Sequence, residues 1–171
     1  MKVSKIRNVK NPERGTDLSA GIDFFVPRFD DNFIKDFFDK NKGYPFIIDE
    51  TFDKLQILVK PGHRVLIPSG IKVNFDGDPK VLIAFNKSGV SVKKGLDILA
   101  CVIDQDYQGE IHLSLVNTSD AEVVIFQGEK IAQFIMLPVI YESIDVVEHD
   151  ELWNKKIERG IGGFGSTDKM L

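Results

Sequence analysis

Residues 102–109 read Val102-Ile103-Asp104-Gln105-Asp106-Tyr107-Gln108-Gly109, which places two carboxylates and a phenol between an apolar pair and an alternating run. A carboxylate held at the head of a turn, beside a bound water, can serve as a general base. The same residues can equally make a tight hairpin, because Asp and Gly suit the backbone of a turn. A second stretch, Arg159-Gly160-Ile161-Gly162-Gly163-Phe164-Gly165-Ser166-Thr167, sets a cation, two hydroxyls and one aromatic ring among glycines. Glycine lets amides approach phosphate oxygens, Arg159 can make a two-pronged contact, and Phe164 can lie on a planar base. A solvated terminus would carry the same glycines, but it would have little use for the ring.

Three other segments are weaker. Asn86-Lys87-Ser88-Gly89-Val90-Ser91 offers a cation, hydroxyls and amides, yet reads as an ordinary loop, and the chain holds no G-x-x-x-x-G-K-[ST] phosphate loop. Gly128-Glu129-Lys130-Ile131-Ala132-Gln133 reads as a turn entering a strand, with Gln133 polar inside an apolar run. Ala20-Gly21-Ile22-Asp23 is a turn and a strand start, with Asp23 a candidate metal partner. His63, His112 and His149 lack the spacing of a zinc site and read as surface residues.

The elements that must hold these groups are mainly strands. Short apolar or alternating runs at 22–26, 55–59, 64–67, 70–75, 81–85, 111–116, 122–126 and 130–139 are separated by Gly, Pro, Asp and Asn. In Ile111-His112-Leu113-Ser114-Leu115-Val116 the two-residue period puts Ile111, Leu113 and Leu115 on one face, which should be core. Eight such strands suit an all-β sandwich or jelly roll. Residues 31–40 break the pattern: Phe33 with Phe37 and Ile34 with Phe38 fall at helical spacing, and Gly43 and Pro45 should end a short helix.

A length of 171 residues fits one core, and 43% hydrophobic with 28% charged residues is a globular composition. Net charge of -4 argues against broad nucleic-acid binding, which needs many phosphate-contacting cations. A small polyphosphate needs only local cations or a metal. Cys101 is the single cysteine, so no disulfide forms within the chain. The first residues lack an apolar leader and no run is long enough to span a bilayer, so the expected location is the cytoplasm, or the host cytoplasm or nucleus for a viral protein. Residues 159–171 are expected to form a mobile C-terminal arm on a single β domain of residues 1–158.

Taken in order, Ala20–Asp23, Asn86–Gly89, Val102–Gly109, Gly128–Gln133 and Arg159–Thr167 resemble the five motifs of the trimeric dUTPase family. The resemblance implies a jelly-roll-like barrel, a homotrimer with three shared sites, and hydrolysis of dUTP to dUMP and pyrophosphate with Mg²⁺. Such an activity limits uracil incorporation into DNA and supplies dUMP for thymidylate synthesis. Each site would take motifs one, two and four from one chain, motif three from a second and motif five from a third. Asp104 would deprotonate the attacking water, and Tyr107 would pack on the deoxyribose and exclude a 2′-hydroxyl. Val102 and Ile103 would read uracil. Lys87, Ser88, Gly89 and Gln133 would hold phosphates, and Asp23 would touch the metal through water. Arg159, Gly165, Ser166 and Thr167 would close on the γ-phosphate while Phe164 covers the base.

Residues 27–54 read as an insertion relative to that pattern. Four positions depart from it: Lys87 and Lys130 replace usual arginines, Cys101 and Asp168 replace usual glycines. A lysine is a point charge where arginine is a fork, so these changes bear on affinity more than on reaction type. Two other functions fit the sequence less well. A dCTP deaminase, or a bifunctional relative, would need a Glu at the position of Ser114. A non-catalytic dUTP-responsive regulator would have no need for Asp104.

Overall fold

The computed structural model describes residues 1–42, 47–49, 54–153 and 160. Among them the chain forms strands β1 (Lys2–Lys5), β2 (Glu13–Arg14), β3 (Ile22–Phe25), helix α1 (Asp31–Lys40), and strands β4 (Ile47–Asp49), β5 (Lys54–Val59), β6 (Arg64–Pro68), β7 (Ile71–Asn74) and β8 (Lys80–Asn86). Helix α2 (Ser88–Lys94) follows, then β9 (Leu96–Ile98), β10 (Val102–Ile103), β11 (His112–Asn117), β12 (Val123–Phe126) and β13 (Lys130–Pro138). Residues Met1–Ile140 make one compact unit and Tyr141–Leu171 another.

All pairings are antiparallel. A five-stranded sheet runs β10-β8-β13-β3-β2, beside three-stranded sheets β6-β11-β9 and β12-β5-β4 and the pair β1-β7. This is the all-β, jelly-roll-like class that the alternating runs imply. The period-two reading of β11 holds: Leu113 and Leu115 are buried with Ile111, and Ser114 and Val116 lie on the other face. Phe24 on β3 packs on Phe134 of β13 with ring centroids 4.3 Å apart, inside a core that includes Ile57, Ile67 and Leu82.

Helix α1 falls at the expected residues. Asp30 caps it, its carboxylate accepting the Phe33 amide at 2.9 Å. The helix closes at Asn41, whose amide donates to Phe37 O, ahead of Gly43 and Pro45, which lie outside the described residues. Of its two apolar pairs, Phe33 and Phe37 are fully buried, whereas Phe38 is exposed. Asn41 then donates to Leu66 O and accepts from Leu66 N, both at 2.8 Å, stitching the helix end to β6. Residues Ile47–Asp49 pair with β5, so the stretch read as an insertion adds an edge strand to a sheet.

Three expectations change. Residues 88–91, read as part of a loop over 86–91, begin helix α2, because the chain after β8 turns at Lys87 and makes bonds from Val90 N and Ser91 N to Lys87 O. Gly95 ends it at φ 68°, and a Cβ there would meet the Ser119 side chain at 2.7 Å, so the left-handed stop needs glycine. The 104–109 turn does not join a hairpin: β10 pairs with β8 while β11 pairs with β6 and β9, so the turn carries the chain from one sheet to another. His112 is not a surface residue. It is partly buried, its Nδ1 donates to Glu110 O at 2.8 Å, and burial holds its pKa below the ordinary value.

Candidate active site

Strand pairing assembles the first cluster. On β13, Gln133 stands opposite Asp23 of β3 on one side and Phe85 of β8 on the other, so β3, β13 and the end of β8 deliver their polar residues to one place. Between Lys130 and Ala132 the register slips by one residue at Ile131, a bulge beside the cluster. Gln133 donates from Nε2 to Asn86 O at 2.8 Å, and its amide occupies the space that any side chain at residue 21 would need. A Cβ on Gly21 would lie 2.1 Å from Gln133 Oε1, so any side chain there would displace the Gln133 amide.

Asp23 is buried and faces two lysines. Lys87 Nζ donates to Oδ1, and Lys130 Nζ lies 3.4 Å from Oδ2 and 3.1 Å from Glu13 Oε1. The Glu13 carboxylate, with help from Asp23, raises the Lys130 ammonium above its ordinary pKa. Two cations and two carboxylates make a locally neutral set.

Lys87 also begins α2, where no side chain caps the helix and the first amides, those of Ser88 and Gly89, have no partner in the preceding turn. Both ends of that helix are pinned. Asn86 bonds Asp97 through its amide and accepts Ile98 N at 2.9 Å, while Lys94 Nζ reaches Glu129 at 2.8 Å and Val124 O at 3.0 Å.

The acidic turn forms a second cluster elsewhere on the subunit. Asp104 is exposed, and its carbonyl accepts Tyr107 N at 3.2 Å. Gln105 ties the turn to the β7–β8 connection through Gly77 O and Lys80 N, each at 3.4 Å. The Tyr107 hydroxyl donates to Glu110 O at 2.9 Å, with its ring across Gly109. A groove of about 560 Å³ beside the turn is lined by Lys2, Lys72, Asn74, Gln105 and Tyr107. Val102 is exposed and Ile103 half-buried on β10, and Cys101 O accepts Ala84 N at 2.8 Å, fixing the start of the turn to β8.

The two clusters stand at opposite ends of β8. Asp104 follows the Ile103–Leu82 pair, whereas Lys87 follows Asn86, four residues on. Leu82 to Asn86 is roughly 13 Å at ~3.3 Å per residue, and Asp104 and Lys87 each lie one residue further out. Within one chain the structure therefore unites Asp23, Lys87, Ser88, Gly89 and Gln133 and leaves Asp104 and Tyr107 apart from them. Arg159, Phe164, Gly165, Ser166 and Thr167 lie outside the described residues, as does Asp168.

Sequence reasoning overlooked Glu110 and Arg7, which support the acidic turn. Arg7 Nε and Nη2 grip the two Glu110 oxygens at 2.7 and 2.9 Å, and the Gly70 amide adds a third bond at 2.7 Å. No local pattern marks a pair separated by more than a hundred positions.

Fold and clusters together define an antiparallel β protein that groups lysines and free helix amides at one sheet end and carries an acidic, tyrosine-bearing turn at the other. A dUTPase family model matches residues 54–168. A Hydrogenobaculum deoxyuridine 5′-triphosphate nucleotidohydrolase is 42% identical over 124 residues, covering 71% of this chain and 79% of that protein. A Psychrobacter protein of the same name is 33% identical over 172 residues, covering 99% and 93%. The Staphylococcus bacteriophage 80alpha dUTPase, solved with dUPNHPP, shares the fold with a TM-score of 0.72 at 22% identity over 96% of both chains. The chain belongs to the dUTPase family.

Proposed function

We propose that this protein is a dUTP pyrophosphatase, hydrolysing dUTP to dUMP and pyrophosphate by attack of water on the α-phosphorus. The observation that carries this reading is the span of the family match, residues 54–168, which takes in the acidic turn, the helix that follows Lys87 and the Gln133 strand. Asp104 takes a proton from the attacking water as the new oxygen–phosphorus bond forms and the bond to the bridging oxygen breaks. Phosphoryl transfer of this kind depends on positioning and charge neutralisation, which Lys87, the Ser88 and Gly89 amides and Gln133 would give. Tyr107 packs on the deoxyribose, and Val102 and Ile103 read the base. Arg159, Phe164, Gly165, Ser166 and Thr167 close over base and γ-phosphate.

Mg²⁺ fits this donor set as a substrate-borne ion. Among the described residues no group of three or more His, Cys, Asp or Glu could cage a metal, and both Asp23 oxygens already face lysines. The neutral Asp23–Lys87–Lys130–Glu13 set leaves a triphosphate in need of further positive charge, which a substrate-borne Mg²⁺ would supply. Asp23 would touch that ion through water.

The separation of Asp104 from Lys87 along β8 supports a homotrimer whose sites are shared between chains. No helix among the described residues is long and apolar enough to cross a membrane, which agrees with a cytoplasmic enzyme. Ser114, placed on the outward face of β11, offers no acid or base for a deaminase.

Pyrophosphate release from dUTP, dCTP, dTTP and UTP tests the substrate, with dUTP expected to dominate. Two inactive variants test the shared site: Asp104→Asn and a chain ending at Glu158, refolded together in equal amounts. A site with its turn from the truncated chain and its arm from the Asp104→Asn chain occurs in about a quarter of randomly assembled sites. Activity should recover to about that fraction. Mixed trimers confirmed by mass but still inactive would place turn and arm in one chain.

A further inference from the structure

Arg7 occupies the junction of three elements distant in sequence. Its guanidinium grips both Glu110 oxygens and, through Nη2, Asp36 of α1 at 2.6 Å. The Arg7 and Glu110 side chains are only 9% and 10% exposed, so this is an interior junction rather than a solvated ion pair. Gly70 N completes the Glu110 carboxylate. The same Glu110 presents its backbone carbonyl to the Tyr107 hydroxyl at 2.9 Å and to His112 Nδ1 at 2.8 Å. A carbonyl can only accept, so the His112 proton sits on Nδ1, and the carbonyl has both lone pairs engaged. An unbroken line of bonds therefore runs from Asp36 on the inserted helix, through Arg7 and Glu110, to the Tyr107 ring.

We propose that Arg7 is a positioning residue for Tyr107, and that the helix carrying Asp36 sets how closely that ring approaches the sugar of the bound nucleotide. The inference rests on the dUTP pyrophosphatase reading above. A bidentate guanidinium fixes a carboxylate in angle as well as distance. Fixing Glu110 fixes its carbonyl, and the carbonyl holds the hydroxyl that orients the ring. A ring that rejects a 2′-hydroxyl by contact must be held to within about 0.5 Å. Looseness at Glu110 therefore costs discrimination before it costs turnover.

The test is the ratio of kcat/KM for dUTP to that for UTP, read by pyrophosphate release. In Arg7→Lys, which keeps the charge and loses the fork, the ratio should fall about tenfold, the size of coupling expected between residues in one bonded network. Asp36→Asn, on the helix surface, should lower it by a smaller factor and provides the measurement if Arg7→Lys does not fold. Tyr107→Phe should lower the ratio as Arg7→Lys does, and the double variant should fall no further than the worse single change. An unchanged ratio in a folded Arg7→Lys or Asp36→Asn protein, or losses that multiply in the double variant, overturns the proposal. Wild-type protein that releases no pyrophosphate from dUTP would overturn the pyrophosphatase reading instead.

Discussion

Gln133 lies across Gly21, with its side-chain amide in the space where a Cβ at residue 21 would stand. The glycine lets Gln133 reach the Asn86 carbonyl and so sets the path of the chain into Lys87 and α2. Gly21→Ala should push the amide aside at little cost in folding, because the clashing atoms are the far end of a flexible side chain. It should raise KM for dUTP several-fold, about 1 kcal/mol for a lost hydrogen bond, with kcat nearly kept. Steady-state kinetics check this, and an unchanged KM would remove Gln133 from phosphate binding.

Asp104→Asn should keep nucleotide binding and lose turnover by roughly 10²–10⁴, the usual cost of a missing general base. Calorimetric titration with a non-hydrolysable dUTP analogue, beside a pyrophosphate assay, separates the two. Wild-type kcat in the variant would refute the assignment of the base.

Phe37→Ala should destabilise the fold by about 3–5 kcal/mol, since the side chain is fully buried and packs against the Phe33 ring. Phe38→Ala, on the exposed side of the same helix, should cost far less. Chemical denaturation of both variants gives the comparison. Similar losses would show that α1 does not belong to the core.

Acid should destabilise the protein in two windows. His112 sits below the ordinary imidazole pKa, first through burial and then through the Lys40 and Arg7 charges, with Glu110 opposing. The unfolded chain takes up this proton at higher pH than the native one, so the stability present above about pH 6.5 is lost as pH falls through the native value. For Glu110 burial pushes upward, but the Arg7 fork and Gly70 amide outweigh it and the net shift is downward. Its contribution is present above about pH 4.3 and is lost as pH falls through the lower native value. Urea midpoints measured from pH 8 to 3 should show both declines, with the upper one missing in His112→Gln. An unchanged upper decline would point to another group.

The residues that read correctly were those whose environment follows from local spacing. The alternation in β11 and the Phe33–Phe37 pair each name a buried face directly. Helix α2 was illegible because it buries no residue: Gly89, Val90 and Val92 are poor helix formers, Val92 is exposed, and no apolar stripe marks the element. Strand β1 is exposed throughout and leaves no period-two trace. The acidic turn suggested a hairpin because its flanking runs are neighbours in sequence, but each found its partner in a different sheet. Asp104, Lys87 and Gln133 were singled out by motif order. Arg7 was not, because its role is set by contacts to residues 36 and 110 that only the folded chain brings together.

Strand β8 acts as a spacer, with the lysine end and the acidic turn held at its two ends. Under the proposed function, a solitary chain would carry both halves of a catalyst and could not bring them to one phosphorus atom. On the proposed assembly, turnover per chain becomes a function of how much protein is present, steepening as dilution pulls subunits apart. A newly synthesised chain would be silent until it met its fellows, and one defective copy would spoil sites in neighbours whose own sequence is intact.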